Sequence, residues 1–292
     1  MMGSPDSGHS QATDHLEVAH SWTTPEASEL ECFRADGLVH EYGRHAHSTW
    51  SIGIVDRGVG GAWYRGANRH ATRGELFAIA PGEVHTGYPV GDGGLSYSIL
   101  YVGDALIRDA VPSIGVSPVL PSIAIRDRTL AFRMGRLCRA LEFSAPSLAI
   151  DTELLAVLGC MFGRHGRVKT QRPAGKEPIH VLVIKEYLRA HMRRQVRLLE
   201  LSDLTGLSKA YLIRSFHRIA GMPPYEWLLQ LRIEAARKRL QQGCAISDLA
   251  FELGFADQSH FHRRFKRLTG MTPAAYAEGH YRPRRGAAPL AP

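Results

Sequence analysis

The sequence has no long hydrophobic run, and this absence argues against a membrane-spanning chain. A transmembrane helix requires about 18 or more consecutive apolar residues. The chain has 292 residues, 44% of them hydrophobic, and no apolar stretch of that length. The first residues are polar, rich in Ser and His, and lack the apolar core of a signal peptide. We therefore expect a cytoplasmic protein without a membrane partner, and a disordered tail over residues 1–20.

Cysteine is also scarce. The four cysteines, Cys32, Cys138, Cys160 and Cys244, are far apart in sequence, and none forms a C-x-x-C pair. Their spacing indicates neither a disulfide framework nor a cysteine-based zinc site. A reducing cytoplasm agrees with this pattern.

Acidic residues are few in the second half of the chain. Residues 179–292 carry 19 Lys and Arg against 9 Asp and Glu, a balance of +10, whereas residues 1–178 carry 17 against 19, a balance of −2. This asymmetry indicates a nucleic acid or another anionic surface as the partner of one domain only. Between the halves, residues 163–178 combine Gly, Pro and basic residues without a hydrophobic period, which predicts a linker.

The basic half contains two similar units. FHRIAGMPP (216–224) recurs 49 residues later as FKRLTGMTP (265–273), and LSDLTGLS (201–208) matches LAFELGFA (249–256) at an offset of 48. Each unit predicts a short helix, a glycine turn and a second helix, which is helix-turn-helix geometry. A longer helix, with Leu228, Leu231 and Ala235 on its buried face, is expected to connect the units.

Capping residues delimit the second helix of each unit. We expect Ser208 and Asp257 to cap these helices at their N-termini. Gly221 and Gly270 permit the left-handed residue that ends a helix. A proline follows each of these turns and is expected to begin the next helix, at Pro224 and Pro273.

The second helices have one apolar face each. Phe261, Phe265 and Leu268 share a face of the second copy, beside a polar and cationic stripe. In the first copy we expect Leu212, Phe216 and Ile219 to point inward. The polar stripe is typical of a surface that meets a polyanion, and an ordinary solvated helix face is the alternative.

The first half of the chain changes character along its length. Residues 38–102 contain short apolar runs separated by glycine-rich turns, a pattern typical of an all-β barrel or sandwich. From Asp127 onward the period becomes helical and predicts two helices. Their apolar stripes pack on the barrel or on a second subunit, and the sequence leaves both open. The stripes are Leu130, Met134, Leu137 and Leu141, then Leu154, Leu155, Leu158 and Met161.

These patterns resemble a known family. RIEAARKRLQQGCAISDLAFELGFADQSHFHRRFKRLTGMTPAAY (232–276), preceded by LSDLTGLSKAYLIRSFHRIAGMPPYEWL (201–228), is similar to the tandem helix-turn-helix domain of AraC/XylS-type bacterial transcription regulators. The stretch from HEYGRHAHSTW to APGEVHTGYP (40–89) resembles the cupin-like sensing domain that many members carry. The resemblance covers most of residues 38–282.

The resemblance implies an α+β multidomain fold, with an N-terminal cupin-like β-barrel, following helices and a C-terminal all-α tandem helix-turn-helix domain. It implies double-stranded promoter DNA, a small-molecule effector and RNA polymerase as partners, and a homodimer paired through the helices after the barrel. The expected segments are a barrel at 21–110, a helical dimerisation region at 111–165, a linker at 166–178, a DNA-binding domain at 179–282 and a tail at 283–292.

Candidate DNA-contacting residues follow from helix geometry together with this resemblance. Base readers lie on the exposed N-terminal half of a recognition helix. Arginine suits guanine, an amide suits adenine, and apolar side chains meet a thymine methyl group. Lys209 and Lys266 are expected to contact phosphates. The candidate base readers are Ala210, Ile213 and Arg214 in the first unit, and Gln258, Ser259, His262 and Arg263 in the second.

Candidate effector contacts lie in the barrel. Aromatic surface with a few polar groups is the usual composition of a small-molecule site. The spacing of His45, His47 and His85 is compatible with binding of a divalent transition metal. However, the carboxylate expected a few residues after His47 is absent from STWSIGI (48–54). We therefore expect no metal, no cofactor and no enzymatic activity; the alternative is a metal-dependent cupin enzyme tethered to nucleic acid. The candidate contacts are His45, His47, Trp50, Trp63, His85 and Tyr97.

Overall fold

The computed structural model describes residues 18–24, 27–111, 118–120, 122–143, 147–168 and 178–281. Residues 1–17 of the tail expected at 1–20, the tail expected at 283–292 and most of the expected linker (169–177) lie outside these residues. Strand structure begins at Val18, inside the segment predicted as a tail. The strands are β1 (Val18–Thr24), β2 (Ala27–Leu38), β3 (Tyr42–His45), β4 (Trp50–Arg57), β5 (Val59–Tyr64), β6 (Ala67–Thr72), β7 (Leu76–Ile79), β8 (His85–Pro89), β9 (Leu95–Val102), β10 (Pro118–Val119), β11 (Ala124–Ile125) and β12 (Arg167–Val168).

The β-domain is built from two larger antiparallel sheets, and β10 pairs with β12 in a separate two-stranded sheet. One sheet has the strand order β1-β2-β9-β4-β7-β11, and the other has the order β3-β8-β5-β6. Residues of both sheets line the cavity between them. The expected barrel is therefore an open one among the described residues, with cupin-like sheets that are not joined into a closed ring.

Helices follow the strands, and those within residues 104–165 pack on the larger sheet. In the part of the chain that the structure describes, the helices are α1 (Asp104–Ala110), α2 (Arg128–Glu142), α3 (Ser147–His165), α4 (Ile179–Ala190), α5 (Leu198–Thr205), α6 (Lys209–Ala220), α7 (Pro224–Gln241), α8 (Ile246–Glu252), α9 (Gln258–Thr269) and α10 (Pro273–Tyr281). No helix among the residues described is long and apolar enough to cross a bilayer.

The predicted apolar stripes of α2 and α3 are buried, with one exception. All four stripe residues of α2 are buried, and in α3 Leu154, Leu158 and Met161 are buried in the same cluster as Trp50 and Ile52 of β4. The prediction was wrong for Leu155, whose side chain is 51% exposed. Successive residues are about 100° apart on a helix, so Leu155 cannot share the inward direction of Leu154.

The two helix-turn-helix units form as the capping residues predict. The Ser208 hydroxyl accepts a hydrogen bond from the Tyr211 amide at the start of α6, and the Asp257 carboxylate accepts one from the His260 amide at the start of α9. Gly221 and Gly270 end these helices with φ of 76° and 79°, the left-handed region that glycine adopts without strain. Pro224 and Pro273 begin α7 and α10.

The cores of the units also follow the predicted faces, except at one residue of α6. Phe216, Phe261 and Phe265 are completely buried, and Leu212 is buried beside Phe216. The expectation for Ile219 was wrong, because its side chain is 39% exposed. The small side chain of Ala220, four residues after Phe216, takes the inward position instead. On the connecting helix α7, Leu228 is buried while Leu231 and Ala235 are half-buried.

The β-domain and the helical domain share a hydrophobic cluster. It joins Phe33, Leu38 and Tyr97 of the larger sheet with Phe265 of α9 and Tyr276 of α10. α10 also packs along β1. A glycine- and proline-rich linker suggested two separate domains, but the described residues form a common core between them.

Candidate DNA-reading helices and barrel cavity

The first turns of α6 present their side chains outward. Lys209, Ala210, Ile213 and Arg214 are all exposed, whereas Leu212 is buried. α6 thus carries two cations with two apolar groups between them. This surface fits the edge of a nucleic-acid groove, where guanidinium groups pair with guanine and small apolar groups contact thymine.

α9 presents a more polar surface. Gln258, Ser259, Arg263 and Lys266 are exposed. His262 differs, because its ring packs against Phe261 with centroids 5.7 Å apart and its Nε2 atom is buried without a hydrogen-bond partner among the described residues. Four of the five candidates on α9 are therefore free to meet a ligand, while the Nε2 atom of His262 is enclosed.

A cavity of about 110 Å³ lies between the two sheets. Four of the six candidate effector contacts line it: His45, His47, His85 and Tyr97. Most of the remaining wall is apolar, from Leu38, Val55, Phe77, Leu95, Ile99 and Ile123. An apolar cavity with a few convergent polar groups is the arrangement that small-molecule sites use.

Trp50 and Trp63 do not line this cavity, and their assignment was wrong. Trp50 is buried on the opposite face of β4, where its ring contacts Phe162 and its indole N–H donates to Asp104 at 2.9 Å. Trp63 lies under the Arg44 guanidinium, 4.4 Å from the ring centroid. Successive strand residues point to opposite faces, so Ser51 and Ala62 occupy the inward positions beside each tryptophan.

The cavity also has walls that the sequence analysis missed. Ile99 and Tyr101 follow Tyr97 at intervals of two on β9, so strand alternation was a usable signal for them. Tyr42 lies on β3, and its hydroxyl is 3.3 Å from that of Tyr97. Leu268 and Thr269 come from the end of α9 and therefore from the other domain. No local sequence pattern could place them at the cavity.

The three histidines form a cluster at one end of the cavity. His45 and His85 are directly opposite each other on β3 and β8, with ring centroids 4.2 Å apart. His47 completes the cluster, 4.9 Å from His45 and 5.3 Å from His85 by ring centroids. Burial lowers the pKa of His45 to about 4 and lowers those of His47 and His85 well below their ordinary value. The rings are therefore neutral at pH 7.

Residues 40–48, which we call the coupling segment, connect the cavity with three helices of the other domain. Tyr42, His45 and His47 face the cavity. From the same segment, His40 lies 3.4 Å from the Arg267 carbonyl oxygen at the end of α9. A side chain at Gly270 would collide with the Tyr42 hydroxyl, so β3 and the turn after α9 are in close contact.

The coupling segment also contacts α6 and α7. Arg44 Nη1 lies 3.5 Å from His217 Nε2 on α6. The side-chain amide of Gln230 donates to the Ala46 carbonyl oxygen, and Glu234 accepts from the Ser48 amide. Because α7 joins the two helix-turn-helix units, this segment touches both reading helices and the helix between them.

A largely buried ion pair is a second connection between the domains. Arg237 of α7 donates to Glu31 of β2 at 2.6 Å, and the Tyr276 hydroxyl donates to the same carboxylate at 3.0 Å. The Arg237 guanidinium also lies over the ring of Tyr101, 5.0 Å from its centroid. Since Tyr101 lines the cavity, the ion pair is one side chain away from it.

Comparisons with known protein families agree with this architecture. A family model described as "AraC-like ligand binding domain" matches residues 28–158. A model described as "Helix-turn-helix domain" matches residues 201–279. The two matches fall on the domain with the cavity and on the domain with the paired helix-turn-helix units.

Relatives extend over both domains. The uncharacterized HTH-type transcriptional regulator YbfI of Bacillus subtilis is 28% identical over 234 residues, which are 79% of this chain and 85% of the relative. The HTH-type transcriptional activator RhaS of Pectobacterium carotovorum is 24% identical over 239 residues, 78% of this chain and 85% of the relative. ToxT from Vibrio cholerae has the same fold, with a TM-score of 0.52, 11% identity and coverage of 91% of this chain and 98% of that chain.

Proposed function

The chain belongs to the AraC family of transcription regulators, and on this premise we propose that a small molecule in the cavity controls DNA binding through the coupling segment. The family pairs an N-terminal ligand-binding domain with a C-terminal DNA-binding domain, and the relatives favour this function over a tethered cupin enzyme. The observation that carries the proposal is the position of residues 40–48, which line the cavity and contact α6, α7 and α9.

The mechanism is a free-energy coupling between two sites. A ligand that displaces Tyr42, His45 or His47 also displaces the backbone that holds Gln230 and the end of α9. Binding then favours one relative position of α6 and α9, and two helices read DNA together only when their spacing matches successive groove segments. Couplings of this kind change affinity about 5- to 150-fold.

The DNA contacts divide by chemistry. Arg214 and Arg263 are the proposed guanine readers, Gln258 the adenine reader, and Lys209 and Lys266 the phosphate contacts. Ala210, Ile213 and Ser259 line the groove surface between them, and His262 joins after a rotation of its ring. The balance of +10 over residues 179–292 gives this surface its attraction for duplex DNA.

Two further partners complete the proposal. Phe132 on α2 is 63% exposed, and Leu155 and Leu148 on α3 are also exposed, so these helices offer an apolar surface to a second copy of the chain. A dimer would place two DNA-binding domains on two half-sites.

The relative RhaS is named a transcriptional activator, and contact with RNA polymerase is the corresponding proposal for this chain. As a non-enzymatic regulator of promoter DNA, it would act in the cytoplasm.

The coupling is tested with the full chain. A thermal-shift screen of small metabolites identifies binders, because a ligand of the folded state raises the melting temperature. Fluorescence anisotropy on a duplex selected from a random library then measures DNA affinity with and without the binder. We expect the binder to change DNA affinity. A binder that fills the cavity and leaves DNA affinity unchanged contradicts the proposed function.

The route is tested by Gln230→Leu, which removes the hydrogen bond from α7 to the coupling segment. We expect this variant to bind the ligand as the wild type does and to show a smaller effect of the ligand on DNA affinity. Gln242→Leu is the matched control, since Gln242 is exposed at the end of the same helix. Full coupling in Gln230→Leu would exclude this route.

The dimer is tested by Phe132→Asp, which should shift the sedimentation coefficient to that of a monomer.

A further inference from the structure

The histidine cluster has the composition of a metal site. One nitrogen from each of His45, His47 and His85 can be chosen so that all three atoms lie within 4.8 Å of one another. His45 and His85 are buried, and all three side chains border the cavity. Imidazole is the common protein ligand of divalent transition metals, and three imidazoles suffice for a site with an open position.

Hydrogen bonds fix which nitrogens are available. The Nδ1 atom of His45 lies 2.7 Å from the Gly43 carbonyl oxygen, and Nδ1 of His85 lies 2.9 Å from the Glu83 carbonyl oxygen. A carbonyl oxygen only accepts, so each Nδ1 carries the proton and each Nε2 presents its lone pair. Metal-binding histidines are held in the same way, by donation from the other ring nitrogen to a carbonyl or carboxylate.

We propose that His45, His47 and His85 bind a divalent transition metal ion, for which Zn²⁺ is the probe, with one coordination position open to the cavity. Zn–N bonds of about 2.0–2.1 Å in tetrahedral geometry bring ligand nitrogens to about 3.3 Å from one another. From separations of up to 4.8 Å in this structure, the nitrogens must approach one another by up to about 1.5 Å when the ion binds. The proposal replaces the sequence-based expectation of a metal-free cavity, which depended on the missing carboxylate; a site of three imidazoles with an open position does not require one.

The electrostatic surroundings are compatible with a cation. Arg69 lines the same cavity, and His45 and His47 are affected by the charge of the Arg237 guanidinium. Glu31 neutralises it through the 2.6 Å ion pair. The cavity wall around the cluster is otherwise largely apolar, which strengthens the bond between the metal and a ligand that enters.

An ion in this position defines the chemistry of the cavity. A small molecule with an oxygen or nitrogen donor would bind the open coordination position, and its apolar part would contact Ile99 and Phe77. The metal site itself does not depend on the proposed effector function. If the chain binds metal but no cavity ligand changes its affinity for DNA, the proposed function is contradicted and the metal site still stands.

The test uses the full chain treated with a chelator. Titration with Zn²⁺ should raise the melting temperature, and about one Zn²⁺ per chain should remain after gel filtration, measured by elemental analysis. Co²⁺ should give the intense visible absorption of a tetrahedral site and lose it when Zn²⁺ is added. His47→Gln and His85→Gln should abolish both the retained metal and the rise in melting temperature. His20→Gln is the matched control, because His20 is exposed on β1 of the same domain and does not line the cavity.

The chain has 15 histidines, so binding elsewhere must be distinguished. Retention of the same amount of metal in His47→Gln and His85→Gln would assign it to other histidines and overturn the proposal. Absence of retained Zn²⁺ and of any Co²⁺ absorption in the wild type would overturn it as well. This second outcome needs only the wild-type chain, so it can overturn the proposal even where a variant fails to fold.

Discussion

Glu31 and Arg237 are 206 residues apart in sequence and form an ion pair of 2.6 Å between the two domains. The pair joins β2 to α7, and the Tyr276 hydroxyl of α10 donates to the same carboxylate. Burial alone would raise the pKa of the Glu31 carboxyl, but the charge and hydrogen bond of Arg237 hold the pKa below its ordinary value. The pair therefore anchors the helical domain against the sheet next to the cavity.

Glu31→Gln should destabilise the protein, because it leaves the largely buried Arg237 guanidinium without a counter-charge. Removing one partner of a fully buried pair costs about 3–5 kcal/mol; with side chains 12% and 17% exposed, this change should cost about 3 kcal/mol or less, measured as the free energy of unfolding in urea. The double variant Glu31→Gln, Arg237→Met should be less destabilised than the sum of the two single changes. Glu252→Gln is the control, since its pair with Arg239 is exposed and such pairs contribute about 0–1 kcal/mol. Additive effects of the two changes at Glu31 and Arg237 would show that the pair is not coupled.

The same pair predicts a loss of stability in acid. The folded-state pKa of Glu31 lies below the unfolded value of about 4.3. A carboxylate with a lowered pKa stabilises the fold fully above the unfolded value, and this contribution is lost as the pH falls through the folded value. The free energies of unfolding of the wild type and of Glu31→Gln, measured in urea, should therefore converge as the pH is lowered below about 4. A constant difference down to that range would contradict the assignment.

Much of the helical domain could be predicted because its determinants are local. Ser208 and Asp257 cap helices within three residues of themselves, and Gly221 and Gly270 end helices by their own backbone conformation. The apolar spacing of four between Phe261 and Phe265 likewise depends on one helix alone.

The cavity was predicted less completely, because its walls depend on pairing between distant segments. The faces of Trp50 and Trp63 follow from strand register, and a shift by one residue reverses them. The contribution of Leu268 and Thr269 to the cavity and the pairing of Glu31 with Arg237 depend on how two domains pack. No periodicity within either segment contains that information.

Phe265→Ala should destabilise both domains together. Phe265 is fully buried, its ring is 5.4 Å from that of Tyr276, and both belong to the cluster shared with the sheet. A large-to-small change at such a site costs about 3–5 kcal/mol through lost contacts and the cavity left behind. Calorimetry should show one transition at a lower temperature. A lowered transition for the helical domain beside an unchanged one for the β-domain would show that the shared cluster does not couple their unfolding.

Arg263 and Lys266 separate base reading from phosphate contact on one helix, since both are exposed on α9. Arg263→Ala should cost about 1–3 kcal/mol on the preferred duplex and relax preference at one base pair, because a guanidinium forms two hydrogen bonds to guanine. Lys266→Ala should weaken binding equally on all duplexes and reduce the logarithmic salt slope by about 1. Anisotropy titrations on the preferred duplex, on single-base variants and at several salt concentrations measure both effects. Equal losses from the two changes with unaltered base preference would assign Arg263 to the phosphate backbone.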